Sequence, residues 1–347
     1  MAEGNALYHL TLARVREAVR EPGVLFWVFG FPILLSIGLG LAFRGRGPER
    51  VAVGVREGPG AANIEQALGK AGIKVERVDA DTARKRLRSG KIALVVEPGA
   101  TADAPVSYRY DPMPAEARLA RAAVDDALQR AAGRRDPRAV RDAPVTERGS
   151  RYIDFLVPGL IGMNLMSGSM WGIGWVIVNM RVRKLLKRLM ATPMRRRDLL
   201  LAQAIARTGS VPLEVGALLL FARLAFDVRV TGSWLALAAV SVAGALAFAG
   251  LAVLVASRAQ NSETVSGLIN LVMMPMFVLS GVFFSAARFP DVLQPALSLL
   301  PLTALNDALR AIMIDGAGFV AVARPVAVLV AWGLASFAVG LKIFRWA

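Results

Sequence analysis

Arg207 and Glu214 lie seven residues apart in Leu199–Phe226, a long and otherwise apolar stretch that also carries Arg223. A carboxylate at the middle of a membrane helix costs on the order of 2.5–3.5 kcal/mol on insertion scales, so it must face protein or water rather than lipid. Seven residues make about two helical turns, which puts both charges on one face. Two chemistries are open to them: a buried ion pair between packed helices, or a carboxylate in a substrate path that relays protons. Other reactive groups are scarce. The chain has no Cys and one His, His9, which excludes disulfides, thiolate metal sites and Cys nucleophiles and leaves no multi-histidine metal site or conventional triad. No G-x-x-x-x-G-K-[ST] occurs, since Gly69-Lys70 and Gly90-Lys91 run into Ala71 and Ile92. The chain is therefore not expected to be an enzyme or to hold a cofactor. If ATP drives it, ATP and Mg²⁺ belong to a partner subunit.

The elements that would position these residues follow from hydropathy. The 347 residues are 55% hydrophobic and 20% charged, with mean hydropathy +0.49 and net charge +16. Those values fit together only if apolar and charged residues are segregated along the chain. About 20 apolar residues cross a bilayer. Val24–Phe43, Phe155–Met180, Trp234–Ala256 and Val265–Phe284 meet that length without a charge. Leu199–Phe226 and Val326–Leu341, extended to 320–343, complete six spans. Arg181–Asp198 holds Arg181, Arg183, Lys184, Lys187, Arg188, Arg195, Arg196 and Arg197, which makes it cytoplasmic by the positive-inside rule. The N-terminal arm (residues 1–22) and the tail with Lys342 and Arg345 fall on the same side. Asp227/Arg229 and Phe289–Ala323 read as loops on the other. Val24–Phe43 is too long for a signal-peptide core and no A-x-A site follows it, so it reads as an uncleaved anchor.

Residues 44–150 differ in kind. Strand patterns at Val51–Val55, Lys74–Val78, Ile92–Val96 and Val106–Tyr110 alternate with helical patterns at Ala61–Ala71, Asp81–Arg88 and Pro114–Ala132. This predicts a compact α/β domain on the extracytoplasmic side, joined to span two by the polar linker Asp136–Ser150. The fold class is thus an α-helical polytopic membrane protein, with six transmembrane helices and an extracytoplasmic α/β domain between helices 1 and 2. Topology accounts for the basic residues, so nucleic acid is excluded as a partner and the lipid bilayer is included. The predominance of Arg among them and the abundance of Ala point to a GC-rich bacterial genome, hence to a bacterial cytoplasmic membrane.

Four smaller patterns bear on mechanism. In Met180–Asp198, Leu185, Leu186, Leu189 and Met190 recur at helical spacing opposite basic residues, and Pro193 ends the run. This reads either as a positive loop reaching anionic headgroups or as a short amphipathic helix offered to a cytoplasmic partner. Gly168 and Gly172 form a G-x-x-x-G that allows close helix approach, within the chain or at a dimer seam. Asn270 and Pro275, in span five, are candidates for a translocation path or for helix packing.

The Lys187-Arg-Leu-x-x-Thr192-Pro193 run resembles the K-R-L-x-x-T-P segment after the second span of ABC-2 type permeases, the membrane subunits of ABC exporters. Arg16-Glu17 with Arg20-Glu21-Pro22 and Phe31-Pro32 resembles the family's amphipathic N-terminal helix. Met274-Pro275 with Ser280-Gly281-Val-Phe-Phe284 resembles its P…SG(V/I)F span. Pro301-Leu-Thr303 with Ala308-Leu-Arg310 resembles its P-L-T-x-x-x-x-A-L-R block. Arg181-Val182-Arg183 departs from the Glu-Arg-Glu-x-Gly type run of many members. The resemblance implies export of an amphipathic drug, lipid or glycolipid, and a second permease copy or a paralogue. It also implies an ATPase subunit docked on Arg183, Lys184, Leu185, Leu186, Arg188, Leu189, Thr192 and Pro193, and on Arg16 and Glu17. Two alternatives stand beside it: a proton-coupled secondary transporter using Glu214, and an envelope signal transducer.

Overall fold

The computed structural model describes residues 22–42, 52–99, 105–138, 151–191 and 196–344, and the single positions Tyr8, Thr11, Leu12, Arg16, Arg20 and Val140. The chain divides into two compact units, Gly45–Val145 and the remainder. The N-terminal helix expected over residues 1–22 and most of the Asp136–Ser150 linker lie outside the described residues.

The smaller unit runs β1 (Val53–Arg56), α2 (Ala61–Lys70), β2 (Val75–Val78), α3 (Ala80–Arg88), β3 (Leu94–Glu97), β4 (Ser107–Arg109) and α4 (Ala115–Ala131); α1 is the first helix of the membrane unit, defined below. Asp79 starts α3 by accepting a hydrogen bond from the Thr82 amide at 2.5 Å. Strand order is β2-β1-β3-β4, with β1 parallel to β2 and β3 and β4 antiparallel to β3. Side chains alternate across a strand. Val53, Val55, Leu94 and Val96 thus meet α2 and α4 on one face, while Val78, Ile92 and Val95 meet α3 on the other. Tyr108 donates to Asp125 of α4 at 3.1 Å; burial and that bond push its phenol up to about 12.

The membrane unit begins with α1 (residues 22–42), which contains a π-turn at Phe26–Gly30. Among the described residues five helices are long and apolar enough to cross a membrane: α5 (Tyr152–Val182), α7 (Arg196–Phe226, apolar from Leu201), α8 (Trp234–Ala256), α9 (Ser262–Leu279) and α12 (Ala323–Ile343); the apolar stretch of α1, Phe26–Leu41, is shorter. Between α5 and α7 stands the short α6 (Leu185–Met190). Helix α8 has no charged residue and is rich in Ala and Gly. It packs against α5, α7 and α12, as close approach of small residues permits.

Two expectations are corrected. The fifth span ends at Leu279 rather than Phe284, because the chain reverses at Gly281, whose φ of 71° suits glycine. Phe289–Ala323 is not a loop: it holds α10 (Gln294–Ser298) and α11 (Pro301–Met313). Helix α11 rises about 20 Å at 1.5 Å per residue, too short to span, yet Leu302, Leu305, Leu309 and Ile312 are fully buried among α5, α8 and α12. Its polar residues explain why. Asn306 donates to the Ser280 carbonyl at 2.8 Å, and Arg310 donates to the Gly281 carbonyl while lying 3.8 Å above the Phe155 ring. The Asn306 amide oxygen occupies the space that a side chain at Gly162 would need. We expect Gly162→Ala to destabilise the chain by about 1–3 kcal/mol through overpacking. Gly216→Ala, with no atom near the added methyl, should be neutral or stabilising. Thermal unfolding of the purified variants distinguishes them.

Candidate functional site

The Arg207 guanidinium is 7% exposed and each of its nitrogens is bonded. Nε donates to Ser169 Oγ at 2.9 Å, Nη2 to the Leu165 carbonyl at 3.2 Å, and Nη1 to Ser210 Oγ at 2.9 Å and to Glu214 Oε1. Ser210 Oγ also donates to Glu214 Oε1 at 2.9 Å, while Glu214 Oε2 is buried without a partner. Ser169 Oγ lies 3.1 Å from the Ala245 carbonyl, so the cluster joins α5, α7 and α8. The arrangement is an ion pair inside the helix bundle. Neither member lines the apolar groove of about 690 Å³ formed by α7, α8 and α12 around Leu246, Gly250, Gly333 and Phe337.

The two glycines of the G-x-x-x-G part company. A Cβ at Gly168 would come within 2.9–3.1 Å of the Arg207 guanidinium, so this glycine seats a side chain rather than a helix backbone. Gly172 has no atom within reach of a Cβ and is exposed on the π-turn Met170–Trp175 of α5. Helix α9 packs along that turn and turns Asn270 and Pro275 outward, beside exposed Leu271, Met274 and Val278. Asn270 and Pro275 thus line no interior path within the chain.

Past α5, Lys184 adopts φ 57° and starts α6, leaving Arg183, Lys184, Leu185, Lys187 and Arg188 exposed. Leu189 is half-buried. Leu186 is 1% exposed and packs into its own chain, so it cannot enter a partner's groove as expected. Arg16 is exposed; Glu17, Thr192 and Pro193 lie outside the described residues. A residue the sequence left as a loop charge, Arg181, anchors this end. It donates to the carbonyls of Ala256 at 3.0 Å, Ser257 at 3.4 Å and Ala259, and lies 5.2 Å from the Phe344 ring centre. A cation at the carbonyl end of α8 is favoured by the helix dipole. Its position one turn before an exposed basic helix was the available signal.

A model described as ABC-2 family transporter protein matches residues 22–342. The chain belongs to that family. Its members form the membrane permease of ABC transporters and are not themselves the ATPase. The chain is 28% identical to nodulation protein J of Rhizobium meliloti strain 1021 and 25% to that of Bradyrhizobium diazoefficiens. Each alignment covers 57% of this chain and 75% of the relative. It is 27% identical to ABC transporter G family member 20 of Dictyostelium discoideum, over 49% of this chain and 23% of that protein. Two sequence blocks read from the resemblance, Ser280–Phe284 and Pro301–Arg310, meet through the Asn306 and Arg310 bonds.

The ion pair yields a prediction. Arg207→Met leaves a buried carboxylate alone and should destabilise the chain by about 3–5 kcal/mol, whereas Arg207→Met with Glu214→Leu should recover most of that. Thermal unfolding in detergent reads both. An equal loss in single and double variants would mean that packing, not charge, decides.

Proposed function

We propose that this ABC-2 permease is the membrane subunit of an ATP-driven exporter, with ATP bound and hydrolysed by a separate P-loop subunit on the cytoplasmic side. The observation that carries the reading is the family match over residues 22–342 in a chain whose sequence has no P-loop. The partner docks on α6, where Leu185 stands among Lys184, Lys187 and Arg188, a surface suited to a groove with acidic rims. Helix α1, about 31 Å long at 1.5 Å per residue, makes a sixth crossing. Both termini are then cytoplasmic, in a bacterial inner membrane, and the α/β unit is extracytoplasmic. A second copy or a paralogue covers the outward surface carrying Gly172 and Asn270, since a polar amide on a membrane helix favours a protein neighbour over lipid. The substrate is amphipathic, in keeping with an apolar membrane unit whose two central charges neutralise each other.

Leu185→Ser should weaken capture of the ATPase subunit about tenfold, from the loss of roughly half a buried leucine, without altering thermal stability. Leu186→Ser should instead lower stability. Unchanged capture in Leu185→Ser would move the docking site elsewhere. Topology is read in the cysteine-free chain: Ser150→Cys should react with a membrane-impermeant maleimide in intact cells, and Arg196→Cys only after lysis. The reverse pattern would invert the orientation.

A further inference from the structure

Where α11 meets the reversal that follows α9, three buried oxygen atoms are left over. Ser280 and Asn306 are fully buried and Thr303 is 3% exposed. Ser280 Oγ, Thr303 Oγ1 and Asn306 Oδ1 have no hydrogen-bond partner among the described residues. The groups around them are engaged. The Ser280 amide donates to the Met276 carbonyl at 2.9 Å, the Ser280 carbonyl accepts from Asn306 Nδ2 at 2.8 Å, and the Gly281 carbonyl accepts from Arg310. Thr303 and Asn306 stand one turn apart on α11, a spacing that sets their Cβ atoms about 5–6 Å apart. The bond from Asn306 Nδ2 holds Ser280 beside them. Unpaired buried hydroxyl and amide oxygens are costly, and folded proteins supply them with protein groups or with ordered water.

We propose that this junction is a binding site for one ordered water molecule, held by Ser280 Oγ, Thr303 Oγ1 and Asn306 Oδ1. The count of donors and acceptors selects the ligand. Each hydroxyl has a proton to give, whereas the amide oxygen only accepts. The ligand must therefore accept two hydrogen bonds and donate one. Water has two lone pairs and two protons and meets that demand, making the three bonds typical of a buried water. A metal ion would take lone pairs only, leaving both hydroxyl protons without an acceptor at the site. Arg310 also brings positive charge to the junction already, and its Asp307 partner, 3.8 Å away, is exposed. A water reaching about 2.8 Å to each partner joins oxygens about 5–6 Å apart. It ties Thr303, in the first turn of α11, to the same reversal that Asn306 and Arg310 grip.

The test uses the full chain in detergent. Thr303→Val and Ser280→Ala each remove one water ligand and should each lower the thermal midpoint by about 2–6 °C. The double variant should lose no more than the larger single, because the water leaves with either hydroxyl. Removing a hydroxyl that is truly unpaired does the opposite, so an unchanged or raised midpoint in either single variant would overturn the proposal. Radiolytic footprinting of the unsubstituted chain reads the water itself and needs no variant to fold. A held water forms hydroxyl radicals where it sits. Leu302 is fully buried and stands with Asn306 against Gly162, so it should be oxidised several-fold faster than the equally buried Phe248 of α8. In Ser280→Ala that excess should vanish. Lowered midpoints with no excess at Leu302 would mean direct bonds among the three residues, and a midpoint raised by Na⁺ over choline at equal ionic strength would mean a cation; either result overturns the proposal.

Discussion

The membrane unit is organised around the Arg207 guanidinium, because a charged group with several N–H donors inside a helix bundle must find acceptors there. The acceptors come from three helices: Ser169 and the Leu165 carbonyl on α5, Ser210 and Glu214 on α7, with Ala245 on α8 reached through Ser169. Each bond constrains rotation of a helix about its axis. Gly168 is required for the same reason, since any side chain there would fill the guanidinium's seat. Glu214 neutralises the charge, so two residues that would each be expelled from hydrocarbon are retained as a pair. Such a pair adds little net stability against apolar residues of equal volume, but removing one member is costly. What the pair fixes is which faces of α5, α7 and α8 meet.

A second polar junction holds the first turns of the same α5 helix. Helix α11 is too short to cross and leaves its polar residues among helices, where backbone carbonyls must receive them. The reversal at Ser280–Gly281 supplies those carbonyls to Asn306 and Arg310, and Phe155 supplies a ring face to the cation. Tyr152 donates to the Phe283 carbonyl at 2.9 Å and extends the junction to the first turn of α5. At the other edge Asn164 donates to the Val28 carbonyl in the π-turn of α1, at 3.0 Å. Helix α5 is therefore held on successive faces by side-chain-to-backbone bonds from α1, α7 and α11. Apolar packing alone would leave its rotation loosely specified, since lipid tails compete equally for its leucines.

What was legible in the sequence was what local chemistry decides. Trp234–Ala256 has the same bounds in sequence and structure because nothing but apolar and small residues lies between its flanking turns. Ala61–Ala71 and Asp81–Arg88 fall within a residue of their helices, since glycines and the Asp79 cap mark their ends. The Arg207–Glu214 pairing followed from helical spacing. Helix α11 was not legible because Thr303, Asn306, Asp307 and Arg310 interrupt its hydropathy. The partners that make those residues tolerable lie 26 residues away for Asn306 and 155 for the Phe155 carbonyl near Arg310. Leu186 failed for a related reason. Periodicity groups it with Leu185 and Leu189, but a six-residue helix carries no sign of which leucine its own chain covers.

Arg181 ties the end of α5, next to α6, to two other helices. Helix α6 follows α5 after a tight turn at Lys184, and Arg181 fastens the end of α5 to three carbonyls at the end of α8 and to Phe344 beyond α12. Arg181 thus links the segment leading into α6 to the ends of α8 and α12 as well as to α5. Helix α8 packs closely along α12, with the Gly333 carbonyl 2.6 Å from where a Cβ at Gly250 would stand. Further along, the Arg207 cluster ties α7 to α5 and α8, and Asn164 ties in α1. Helix α9 is held differently. It contacts α5 along the π-turn Met170–Trp175 and turns Asn270, Leu271 and Met274 outward, with no side-chain bond of its own to α7 or α12 among the described residues. A π-turn is a local irregularity in the hydrogen-bond ladder and a common site of adjustment. The boundary between α9 and the π-turn of α5 lies beside the surface where Gly172 and Asn270 are exposed.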